Sequence, residues 1–88
     1  MRQESFQDGV VPGKYKILTA LAIVIATKCE PCIKAYTKMA FNANVTQQKF
    51  IEFLNVAITE AGCPCEQWAL VAFRTFKELI EGKNVKEE

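Results

Sequence analysis

The chain has 88 residues, half of them hydrophobic, with 11 Lys plus Arg against 10 Asp plus Glu, a formal charge of +1 and no histidine. That length holds one small domain, and its apolar share exceeds what so small a core hides, so part of the surface is expected to meet another subunit. The basic residues are scattered rather than striped, which argues against nucleic acid as a partner.

Residues 1–13 read as a flexible N-terminal segment, polar at Arg2, Gln3, Glu4 and Asp8 and without the basic-then-apolar order of a secretion signal. Pro12-Gly13 then punctuates the chain. Residues 14–27 follow without another breaker and with apolar side chains on nearly every face, the pattern of a helix central to a core or an interface. The apolar run 17–26 is broken only by Thr19. A bilayer span needs about 20 such residues, so no membrane partner is expected and the cytoplasm is the default compartment.

The next boundary is Thr27-Lys28-Cys29-Glu30-Pro31, where a proline suits the first helical turn because its missing N–H costs nothing there. The second helix should run to about Asn42, with Cys29, Cys32, Ile33, Tyr36 and Ala40 sharing one face. Asn44 stands where a left-handed residue commonly ends a helix, and Thr46 is a suitable N-cap for the third helix over 47–61. The stripe Phe50, Phe53, Leu54, Ala57, Ile58 and Ala61 reads as core packing.

Gly62 should close that helix and Cys63-Pro64-Cys65-Glu66 open a fourth, with Pro64 at its first position, continuing to Glu81 before Gly82 stops it. Ala69, Ala72, Phe73, Phe76 and Ile80 form one side, and an adjacent strip of Trp68, Val71 and Thr75 is a candidate subunit contact. Residues 83–88 read as a polar, fraying tail around Val85. No strand-like alternation is present, so the fold class is all-α, a bundle of about four helices over 14–82.

Four cysteines in a cytoplasmic setting read as redox-active or metal-binding rather than as a structural disulfide frame. Cys29-Glu30-Pro31-Cys32 places two thiols at a helix start, where unpaired N–H groups and the positive end of the helix dipole favour thiolate, and its spacing lets the sulfurs meet. The same spacing also serves zinc knuckles and inert thiols, so these readings stay open beside the redox one. Cys63 and Cys65, one residue apart, cannot easily bond to each other without strain; they pair elsewhere, stay free at a proline-based helix start, or join Cys29 and Cys32 as four thiolates on one zinc.

The stretch KYKILTALAIVIATKCEPCIKAY at 14–36, followed by the helix start near Thr46 and by Asn55-Val56-Ala57-Ile58, resembles the carboxymuconolactone decarboxylase/AhpD-like family over residues 14–79. The resemblance implies an all-helical oligomer, often a trimer or hexamer, and, in the AhpD branch, peroxide reduction by the two cysteines. It assigns Cys32 as the attacking thiol and Cys29 as the resolving one. The branch's motif continues to a histidine four residues after the second cysteine; here that position is Tyr36, one turn from Cys32. A glutamate of the preceding helix in that branch falls on Ile17. A phenol can donate a hydrogen bond to a thiolate but is a poor proton acceptor at neutral pH.

The expected function is therefore a thiol–disulfide oxidoreductase or peroxide reductase with Cys29, Cys32 and Tyr36 as its site, needing no cofactor or metal but requiring a thiol reductant or redox protein as partner. The alternatives are a non-catalytic oligomeric scaffold or redox sensor, and a cysteine-thiolate metal-binding protein.

Overall fold

A computed structural model describes residues 5–62 and 66–87. It is all-helical: α1 (Gly13–Ala26), α2 (Glu30–Asn42), α3 (Gln47–Ala61) and α4 (Glu66–Glu87), with no strand among the described residues. α1 packs on α2 and α3, and α4 closes the bundle against α2 and, more lightly, α3, so the order around it is α1, α2, α4, α3. No described helix is long and apolar enough to cross a membrane.

The helix ends follow from local chemistry. α1 and α2 stop with the same backbone motif. Cys29 N–H donates to the Val24 carbonyl and Lys28 N–H to that of Ile25; Val45 N–H donates to Ala40 and Asn44 N–H to Phe41. The residue before the last donor must be left-handed, and it is: Lys28 has φ 62° and Asn44 φ 67°. Asn tolerates this region through its short polar side chain, whereas Lys has no such compensation. α3 starts as expected, Thr46 Oγ1 accepting from Lys49 N–H at 3.2 Å, and ends at Gly62 with φ 87°.

α1 buries a single stripe, Ile17, Leu18, Leu21 and Ile25, and leaves Ile23 58% exposed. Ile33, Thr37 and Ala40 of α2, Phe50, Leu54 and Ala57 of α3, and Ala69, Ala72 and Phe76 of α4 complete the core with Val45. Phe76 ties three elements together, stacking on Phe50 with ring centroids 4.3 Å apart and meeting the Phe41 edge at 5.7 Å. Such pairs add about 1 kcal/mol to the burial of the rings themselves. Trp68 and Val71, of the candidate subunit strip, are partly buried against this core; among the described residues the exposed large apolar side chains of the helices are Ile23, Val56 and Leu70.

Residues 5–12, the described part of the expected flexible lead-in, fold back over the start of α1. Pro12 offers α1 no side-chain cap, and the Asp8 carboxylate accepts from Gly13 N–H at 2.6 Å in its place. At the other end, α4 does not stop at Gly82 but continues to Glu87. A glycine costs a helix interior about 1 kcal/mol relative to alanine, too little to end 22 residues of helix where no proline follows. The expected proline-based start at Cys63-Pro64-Cys65 lies outside the described residues.

Two substitutions test this description in urea denaturation. At Gly82 an added Cβ meets nothing within 4 Å, so Gly82→Ala should stabilise by about 1 kcal/mol; a loss would mean that Gly82 is a left-handed stop after all. Thr37 is fully buried and its hydroxyl has no hydrogen-bond partner, so Thr37→Val, close in shape, should gain about 1 kcal/mol. Destabilisation by Val would show that the hydroxyl is bonded.

Candidate functional site

The turn from α1 to α2 and the first turn of α2 carry the two cysteines of the candidate site. Cys29 is the last donor of the motif that ends α1 and also the N-cap of α2, where its carbonyl accepts from Ile33 N–H at 2.9 Å. Its own N–H is thereby committed to Val24, and Pro31 has none, which leaves the N–H groups of Glu30 and Cys32 at the positive end of α2. Cys29 and Cys32 are both half-buried and joined in a disulfide across 5.3 Å between Cα atoms. The expectation that the spacing lets the sulfurs meet is thus a property of the fold.

Tyr36 lies one turn beyond Cys32, half-buried, so the three predicted site residues fall on one side of α2; Ile33 and Ala40, expected on that same face, instead turn with Thr37 into the core, an adjacent strip of the helix. One residue missing from the sequence reading is Phe6, whose ring meets that of Tyr36 at 5.7 Å and 61°, edge to face. Only tertiary folding brings it there; nothing in the pattern of residues 1–13 marks it. On the other flank Glu30 pairs with Lys34 at 3.3 Å, and both line a crevice of about 160 Å³ with Val71, Arg74, Thr75 and Glu78 of α4. The ion pair is more than half exposed and adds little to stability.

The position where the resembling branch carries a glutamate, Ile17, is 7% exposed and belongs to the core. Among the described residues no three His, Cys, Asp or Glu side chains gather to hold a metal ion. Cys63 and Cys65 lie outside those residues, and the four-thiolate arrangement with them.

A half-buried, disulfide-forming Cys-X-X-Cys at the start of the second helix of a four-helix unit coincides with a family model that matches residues 1–75. The chain belongs to the carboxymuconolactone decarboxylase family. It is similar to an uncharacterized protein of Cupriavidus necator, 30% identical over 73 residues that cover 83% of this chain and 65% of that protein. The chain thus spans slightly less than two thirds of the length of this curated relative. An apo crystal structure of a family protein from Legionella pneumophila matches with a TM-score of 0.83 and 28% identity, over 88% of this chain and 69% of that one. A family protein from Thermotoga maritima, for which a part in the antioxidative response has been suggested, shares the fold at a TM-score of 0.88 and 19% identity, over 94% of this chain and 86% of that one.

Two measurements test the local account. Closing so short a loop constrains the unfolded chain little, so a dithiol reductant should lower stability by about 2 kcal/mol without unfolding the protein; collapse of the helical circular dichroism on reduction would make the disulfide a structural staple. Lys28→Gly should stabilise by about 1 kcal/mol, because glycine adopts positive φ without the Cβ clash. A loss would mean that the lysine side chain stabilises the turn by more than its backbone conformation costs.

Proposed function

We propose that this family member is a thiol–disulfide oxidoreductase that reduces peroxides, with Cys32 attacking and Cys29 resolving. The observation that carries the reading is the pair itself: two half-buried cysteines, bonded to each other where a helix begins. The Cys32 thiolate displaces an alkoxide from ROOH, giving a sulfenic acid at Cys32 and, after protonation, ROH. The Cys29 thiol then attacks that sulfur, forming the Cys29–Cys32 disulfide and releasing water. Two thiols and one hydroperoxide become a disulfide, an alcohol and water, and an external dithiol restores the pair. The suggested antioxidative role of the Thermotoga maritima relative points the same way.

Tyr36 stands beside this pair as a hydrogen-bond donor rather than a base. A second reading, a redox sensor or a scaffold without turnover, is favoured by Tyr36 together with Ile17, since α1 holds no carboxylate. We also propose self-association, trimeric or hexameric, supported by Ile23 and Val56, both more than half exposed on either side of an apolar groove between α1 and α3.

The test is reduced protein treated with peroxide and followed by intact mass and peptide mapping, then by turnover with a dithiol. Wild type should form the Cys29–Cys32 disulfide; Cys29→Ser should trap Cys32 as a sulfenic acid, and Cys32→Ser should abolish the reaction. Tyr36→His should raise the rate by about tenfold or less, short of the hundredfold or more that a well-positioned general base contributes. Oxidation without recycling would favour the sensor, and recovery of both cysteines as free thiols would end the redox reading.

A further inference from the structure

Four features of residues 6–16 have no role in the chemistry above, and they converge. Gly13 opens α1, where alanine would serve a helix better, yet a Cβ there would run into the Phe6 carbonyl and come within 3.1 Å of Asp8 Oδ1. Asp8 accepts from Gly13 N–H. Lys16 Nζ donates to the Gln7 carbonyl at 2.9 Å. Held by these ties, the chain delivers Phe6 across to α2, where its ring meets Tyr36 edge to face. The tip of the segment is bare, Val10 being fully exposed and Val11 half exposed. The strap is therefore held at Phe6, Gln7 and Asp8, and exposed at its tip.

We propose that this strap is a size-selective cover on the candidate redox site, with Phe6 as a positioning residue that pins the Tyr36 ring and narrows the approach to Cys32. Side chains four residues apart on a helix are neighbours, so a ring packed on Tyr36 stands on the side of α2 that carries Cys32, next to the residue one turn from its sulfur. Small reactants pass with the strap in place. Bulky ones need Phe6 to lift, and a surface segment with an exposed tip opens more readily than the bundle beneath it. The biological meaning rests on the redox reading; the geometry stands without it.

The experiment compares modification rates at Cys32 in the reduced full chain with N-methylmaleimide and N-pyrenylmaleimide, which share one reaction and differ in size, each site resolved by peptide mapping. Wild type should favour the small reagent. In Phe6→Ala that preference should fall by roughly three- to tenfold, the range of opening equilibrium an edge-to-face pair controls, and Gly13→Ala should do the same by displacing the strap while leaving Phe6 and Tyr36 intact. Phe6→Tyr should restore selectivity. In a Tyr36→Ala background Phe6→Ala should add nothing, since the partner it pins is gone. If Phe6→Ala fails to fold, Phe6→Leu, which keeps the apolar volume and loses the ring, takes its place. An unchanged size preference in both folded variants overturns the proposal. Failure of reduced wild type to oxidise with peroxide is a separate result: it removes the redox reading and leaves the maleimide ratio to decide the strap.

Discussion

Between Ala26 and Glu30 three residues must end one helix and begin the next, and the whole site depends on how they do it. Lys28 adopts a left-handed conformation so that Cys29 can turn its N–H back to Val24, and the same Cys29 then offers its carbonyl to the first turn of α2. One residue thus serves two helices. Its backbone is committed on both sides, which fixes where its sulfur begins, and Cys32 is fixed by the helix that Cys29 starts. The 5.3 Å between their Cα atoms is a consequence of that corner. The rest of the bundle, with Phe76 against Phe50 and Phe41, holds α2 at the angle the corner demands.

The corner also decides which groups face the sulfurs. With the Cys29 N–H turned toward α1 and Pro31 lacking one, the positive end of α2 is carried by few donors. Tyr36 and Phe6 form an aromatic wall on one side, and the charged crevice of Glu30, Lys34, Arg74 and Glu78 lies on the other. The two flanks differ in character: one is aromatic and held in part from a distant segment, the other is a charged crevice between α2 and α4. The family resemblance alone suggests neither, because Tyr36 and Ile17 stand where the resembling branch has a histidine and a glutamate. Ile17 has gone into the core, so α1 contributes packing where that branch has a carboxylate.

Much of this was legible in the sequence, for reasons that are local. Hydrophobic spacing, Thr46 as a cap, Asn44 as a left-handed stop, Gly62 as a helix end and Pro31 in a first turn are each decided by interactions within about one turn of chain, so the helix order followed from spacing, and the spacing allowed Cys29 and Cys32 to meet without deciding between a disulfide, a metal and free thiols. Gly82 misled because glycine is a weak stop unless its backbone turns left-handed, and here the helix continues through it. Lys28 was invisible as a turn residue because its type argues against the conformation it adopts. What only the tertiary structure decided is which apolar residues of the described helices are most exposed, Ile23, Val56 and Leu70, and that Phe6 reaches Tyr36. Those outcomes depend on how helices rotate against one another and on a backbone approach that Gly13 permits, and neither is encoded within reach of any single segment.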